Sequence, residues 1–431
     1  MPSDLDLART FREVWAELSG IGRAPDGGYL RFAWSPAEIA LRDWFRAQAT
    51  ARGMTLTHDG NGNLFATWFP AGDGLAPGGG RATADGLLAP SGGPGGVLTG
   101  SHFDSVPHGG AFDGPLGIVS AFLAVDLLRD LGFRPERAIT VAAFAEEEGS
   151  RFGLACLGSR LLTGAIDPQR AAALTDRDGL CLGDVLGAAP AGVRPDLVAG
   201  FDAYVELHVE QGRALTAPVG VASAIWPHGR WRFDVEGEGN HAGTTLMSDR
   251  RDPMLTYAFT VLAANKEARL RGAHATVGRV EVRPNATNAI PAAVRGWLDA
   301  RAADEEALAR LVEAVAKKAT ERAGRDGTAI RFTAESTTGE VRFDTGLADR
   351  LATLLGGVPI LPTGAGHDAG VLSAHLPTAM LFVRNPTGVS HAPAESATDE
   401  DCAAGVRALA RVLQELSRRP LVDHDEGVAG A

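Results

Sequence analysis

Two short stretches of this chain concentrate side chains that could do chemistry. "SHFDSVPHGGAFDG" carries His102, Asp104, His108 and Asp113 among glycines, and "AEEEGSRFG" carries Glu147 and Glu148. Two further segments add His208 ("VELHVEQG") and His391 ("VSHAPAE"). Together His102, Asp113, Glu148, His208 and His391 offer three imidazoles and two carboxylates. Such a mixed nitrogen and oxygen set suits Zn²⁺, Mn²⁺, Co²⁺ or Ni²⁺. A pair of ions sharing one carboxylate would activate water between them. The base that takes the water's proton cannot itself be a ligand, which points to Glu147 beside Glu148. Asp104 lies two residues beyond His102 on extended chain and is expected to accept from that ring's other nitrogen. His108 is read as a loop residue.

These residues need elements to hold them. "GVLTGSH" (96–102) reads as a buried strand ending on His102, "GPLGIVSAFLAVDLLRDLG" (114–132) as a helix, and "AITVAAFAEEEG" (138–149) as a second strand ending on acids. Strand, helix, strand at this spacing is a βαβ unit, hence a parallel sheet. Ligands sit at the C-terminal edge of such sheets. Upstream, Ser35 and Pro36 open a helix over 35–51, and 63–70 reads as a strand. From about 215 the pattern becomes β-α-β-β-α-β, a ferredoxin-like module, with Asp252 and Pro253 starting its first helix. The expected division is a discontinuous catalytic domain, 1–214 and 332–431, and an inserted domain, 215–331. The fold class expected is α/β, a mostly parallel sheet with that insertion. The segment 71–96 is glycine-rich and reads as a loop without assigned function.

Bulk properties narrow the partners. The 431 residues exceed one ordinary core. A net charge of −12 offers no basic stripe for nucleic acid. Three scattered cysteines make neither a disulfide framework nor a CxxC site. There is no long apolar run for a membrane and no signal-peptide pattern, so a cytoplasmic protein is expected.

Over nearly its whole length the chain resembles the hydantoinase/carbamoylase branch of the dinuclear-metal aminoacylase and exopeptidase superfamily. The carriers are "GSHFDSV", "GGAFDGPLG", "EEEGSRF", "ELHVEQG", "NHAGTT", "NATNAIP", "GAGHDAG" and "GVSHAPAE". The resemblance implies two divalent ions per subunit, zinc first, with manganese, cobalt or nickel as alternatives. His102 and His208 would hold one ion, Glu148 and His391 the other, and Asp113 would bridge. Glu147 falls on the catalytic base. The inserted domain becomes a lid that also makes a homodimer. His241 falls on a histidine that stabilises the developing oxyanion, often from the partner subunit. Asn288 and Arg301 match positions gripping a substrate carboxylate, and Gln211, His228 and His367 join them as substrate-side residues. The implied activity is cleavage of the carbamoyl C–N bond of N-carbamoyl-L-amino acids, with allantoate and then β-ureidopropionate as alternative substrates. Two departures bear on substrate choice. Leu246 stands where the branch often has proline, and "IWPHGRW" (225–231) fits neither subgroup.

Overall fold

The computed structural model describes residues 4–70 and 96–418; the glycine-rich segment 71–95 lies outside the described residues. The chain divides into two compact units, Met1–Ser223 with Arg342–Ala431, and Ala224–Val341.

The first unit begins with the helices Asp4–Leu18 and Pro36–Ala51. Ser35 caps the second by accepting from the Glu38 amide, with Pro36 in the first turn, where a missing N–H leaves nothing unsatisfied. Strands β1 (Thr55–His58), β2 (Leu64–Trp68), β3 (Val97–His102), β4 (Ile139–Phe144), β5 (Ala203–Val209) and β6 (Val219–Ile225) follow. The helix Pro115–Asp130 connects β3 to β4 and is apolar on nearly every side, because it is packed within the core.

In the second unit the strands are β7 (His228–Glu236), β8 (Asn240–His241), β9 (His274–Arg283), β10 (Ala289–Ile290), β11 (Ala293–Arg301) and β12 (Ala329–Thr338). The order β12-β7-β11-β9 is antiparallel throughout. With the helices Pro253–Arg271 and Glu305–Asp326 this is the split β-α-β arrangement of a ferredoxin-like module. Asp252 and Asp304 cap the two helices through their carboxylates. Phe233, Val235, Leu298, Leu311 and Val315 form the unit's own core.

The chain then returns to the first unit with β13 (Val341–Arg342), β14 (Ile360–Thr363) and β15 (Thr378–Val383), and ends its described part in the helix Asp399–Leu416. The large sheet runs β1-β2-β4-β3-β5-β15-β6-β13, with β14 paired to β6. Its middle strands β4, β3, β5 and β15 are parallel and wholly buried; β1, β2 and β6 pair antiparallel at the flanks. The sheet is thus mixed and mostly parallel at its centre. Both limits of the second unit sit later than the 215 and 331 expected from the pattern of strands and helices. The reason is pairing: β6 hydrogen-bonds into the large sheet, and 331 falls inside β12.

Candidate metal centre

Every candidate ligand in the first unit emerges at the C-terminal edge of a central parallel strand. His102 ends β3 and is in register with Phe144, the last residue of β4. Glu147 and Glu148 follow β4 within one turn. His208 lies near the end of β5, beside Phe382 of β15, and His391 follows β15. Gly114 makes the approach of Asp113 feasible. Its φ is +86°, and a Cβ there would lie 2.5 Å from the His102 ring.

The five residues converge. His102 Nε2 lies 3.5 Å and His208 Nε2 3.2 Å from Asp113 Oδ1, while His391 Nε2 lies 3.3 Å from Asp113 Oδ2 and 3.6 Å from Glu148 Oε2. Asp113 therefore turns one oxygen toward each of two groups, His102–His208 and Glu148–His391.

Backbone carbonyls fix two of the rings. His102 Nδ1 is 2.9 Å from the Asp104 carbonyl and His208 Nδ1 is 2.8 Å from that of Val209. A carbonyl only accepts, so each Nδ1 carries the proton and each neutral ring presents an Nε2 lone pair. Both Nε2 atoms are fully buried, have no hydrogen-bond partner, and face a carboxylate oxygen. Lone pairs aimed at an anion repel unless a cation or proton lies between them. This donor set fits a divalent ion. Protons would respond to the same crowding. Burial opposes charge on His102, but Glu147, Asp113 and Asp104 carry its pKa well above the imidazole range. Burial likewise opposes charge on His391, which Asp113 and Glu148 nevertheless raise to about 9. Asp113 is held well below the carboxylate range despite burial, because His102, His208 and His391 converge on its two oxygens.

Glu147 is buried, with Oε2 3.6 Å from His102 Nε2 and Oε1 3.7 Å from the Cys156 thiol. Burial pushes its pKa well up, His102 opposes, and Glu148 and Asp368 add to the rise. Glu146, left-handed at φ +55°, has a different task. Its Oε1 accepts the amides of Arg151 and Phe152 and closes the loop that carries its neighbours.

Asp104 departs from expectation. Its carboxylate lies 3.7 Å from His102 Nδ1, and the ring bonds the Asp104 carbonyl instead. The two carboxylate oxygens accept the amides of Glu147 (3.1 Å) and Glu148 (3.0 Å). The loop's backbone donors outcompete the ring because they fill both oxygens at once.

Gln211 donates to Asp113 Oδ2 at 2.6 Å and lies 3.3 Å from His391 Nε2. His367 is buried against His208, ring centroids 4.5 Å apart, with neither ring nitrogen hydrogen-bonded. His108 is apart from the cluster, paired with Asp26 at 2.7 Å.

The remaining candidates belong to the second unit. His241 and Asn288 are exposed and adjacent: the Ala242 amide donates to the Asn288 carbonyl, and His241 pairs with Ala289 across β8 and β10. The Gly243 amide donates to His241 Nδ1 at 3.0 Å, so a neutral ring bears its proton on Nε2, as an outward donor. His228 and Arg301 face each other across β7 and β11. They stand at the far end of this ribbon from β8 and β10, since Glu236 pairs with Ala293 at the near end. Eight steps of strand at about 3.4 Å each separate the ends by roughly 27 Å.

Two functional supports were missed in the sequence. Asn63 accepts the Ala145 amide through Oδ1, and Asp59 holds Asn63 in turn. "HDGNGN" reads as a turn, and nothing local to it indicates what it braces. The other is Glu395, whose Oε1 accepts the amides of Phe112 and Asp113. Its only sequence signal was its place four residues after His391.

A parallel-sheet edge with convergent histidines and a shared carboxylate defines a metallohydrolase class. The profile of Peptidase family M20/M25/M40 matches residues 98–415, and the chain belongs to this family of hydrolases. It is 35% identical to the N-carbamoyl-L-amino acid amidohydrolase of Geobacillus stearothermophilus, over 93% of this chain and 97% of that protein. It is 32% identical to the allantoate amidohydrolase of Escherichia coli strain K12, over 95% and 98%. A crystal structure of a hydantoinase/carbamoylase family amidase from Burkholderia vietnamiensis has TM-score 0.81 and 30% identity, covering 96% of this chain and 98% of that one. Among the described residues, no helix is long and apolar enough to cross a membrane.

Proposed function

We propose that this chain is a divalent-metal amidohydrolase that cleaves the carbamoyl C–N bond of N-carbamoyl-L-amino acids, giving the amino acid, ammonia and CO₂. The observation that carries the reading is the pair of buried, partnerless Nε2 atoms of His102 and His208 facing one oxygen of Asp113. The full-length likeness to a carbamoyl amino acid amidohydrolase supports the substrate class.

His102 and His208 would hold one ion, Glu148 and His391 the other, and Asp113 both. Zinc leads by donor set, with manganese, cobalt and nickel also suited. Bound there, two divalent ions supply Lewis acidity to a carbonyl oxygen and to water. Glu147 takes the water's proton and delivers it to the leaving nitrogen, so that the C–N bond breaks as the amine is protonated. His241 donates its Nε2–H to the oxygen on which charge develops, a contribution of about 3–4 kcal/mol where such donors are removed. Gln211 orients Asp113, and His367 offers a neutral imidazole to substrate.

Arg301 and Asn288 are the proposed carboxylate contacts, with His228 near Arg301. The roughly 27 Å between the two ends of their ribbon exceeds the reach of one small molecule. We therefore assign Arg301 to one subunit, and His241 with Asn288 to its partner, in a homodimer joined through the inserted unit. Working in the cytoplasm fits this reading.

Allantoate hydrolysis is the second reading, favoured by the nearly equal likeness to the Escherichia coli enzyme. The test is ammonia release from N-carbamoyl-L-amino acids of varied side chain, β-ureidopropionate and allantoate. The proposal expects turnover of the carbamoyl amino acids, and exclusive turnover of allantoate would overturn it.

A further inference from the structure

Glu395 is a buried carboxylate, 5% exposed. Its Oε1 accepts two successive amides, Phe112 at 2.8 Å and Asp113 at 3.0 Å. Its own amide donates to the Ala392 carbonyl at 3.0 Å, one residue beyond His391. One side chain thus ties the turn that presents Asp113 to the turn that presents His391. The fit is close. A Cβ on Gly110 would lie 2.2 Å from the Glu395 carboxyl carbon, so the chain before Asp113 wraps this carboxyl group with no room for a methyl.

The His391 turn needs such support. His391 is left-handed at φ +56°, a conformation that a histidine holds only when its surroundings impose it. On its other flank Asn385 donates to the carbonyls of Glu210 and Val389. Asn385 therefore anchors the turn to the end of β5, and Glu395 anchors it to Asp113.

We propose that Glu395 is a positioning residue that sets the separation between the His391 imidazole and the Asp113 carboxylate, and through it the seat of the second ion. This rests on the reading that the cluster binds two ions. The position requires an acceptor and not a charge, because both contacts are amide N–H groups meeting one oxygen. His102 and His208 are oriented by other carbonyls, so two of the three proposed donors to the first ion do not depend on Glu395.

The experiment is metal titration of apo-protein with zinc, with ion content measured after dialysis, for wild type, Glu395→Ala, Glu395→Gln and Gly110→Ala. Circular dichroism reads folding. Wild type should retain two ions. Glu395→Ala should retain one, its second binding step weakened about 10- to 100-fold, the usual effect of removing a support behind a metal ligand. Glu395→Gln, which keeps the acceptor, should retain both ions. Gly110→Ala, which displaces the carboxyl group while leaving Glu395 in place, should behave like Glu395→Ala; it carries the test if that variant does not fold. Two tight ions in both Glu395→Ala and Gly110→Ala would overturn the inference. So would loss of the second ion in Glu395→Gln, since charge would then be what matters. Fewer than two ions in wild type would instead refute the two-ion reading itself.

Discussion

The Asp104 carboxylate holds the Glu147 amide at 3.1 Å, with its second oxygen on the next amide along. The acid that a motif reading attaches to a histidine ring is a backbone clamp on the loop bearing the proposed base. Asp104→Asn keeps one acceptor oxygen and turns an amide donor against an N–H. It should lower kcat by about 10- to 100-fold while the first ion, held by His102 and His208, stays bound. Turnover assays with ion analysis check this. Loss of both ions would return Asp104 to a role on the His102 ring.

Glu147→Gln removes the proton carrier and leaves every proposed ligand in place. Ion content should be unchanged, and kcat should fall by about 10²- to 10⁴-fold. An active Glu147→Gln enzyme would eliminate Glu147 as the base.

The proposed two-subunit arrangement can be read by complementation. His241→Ala and Glu147→Gln homodimers should each be nearly inactive. Mixing them under exchange conditions should restore activity, toward one quarter of the wild-type level for random pairing, because half the dimers are mixed and each has one intact site. No recovery, with exchange verified by mass, would place both residues in the same chain's site.

Acid should weaken the second unit in a specific way. Glu267 is held below the usual carboxylate range by hydrogen bonding from Lys318, against its burial, with Arg271 assisting. Asp234, despite burial, is held low by Arg295 and Arg232. A folded pKa below the unfolded one stabilises fully above the unfolded value, near pH 4. That stabilisation is lost as pH falls through the folded value. Glu267→Gln should therefore lower Tm at pH 7, and the deficit should shrink on approach to pH 3. A deficit of equal size at both pH values would separate it from ionisation.

Much of this was readable in sequence where local chemistry is strong. Ser35–Pro36 and Asp252–Pro253 announced their helices, and β3 and β4 were apparent as apolar runs ending in ligands. The ferredoxin-like module followed from its alternating patterns. Less legible were features set by pairing at a distance. A boundary at 215 leaves β6 inside the insertion, and its antiparallel pairing with β15 is what assigns it to the large sheet. The short helices between Leu157 and Val198 are too brief to leave a periodic signature. Asp104 and Glu395 act on amide N–H groups, which every non-proline residue has, so residue types alone do not identify their partners.

The ring orientations of His102 and His208 have a practical consequence. Both are set by carbonyls of the chain itself, so these two donors are aimed before any ion arrives, and replacing one ion by another requires no rearrangement of them. If the cluster binds ions as proposed, selection among zinc, manganese, cobalt and nickel would then fall to intrinsic affinity and supply. The specific activity of a preparation would follow its metal history: the growth medium, the buffers, and the order in which ions were offered.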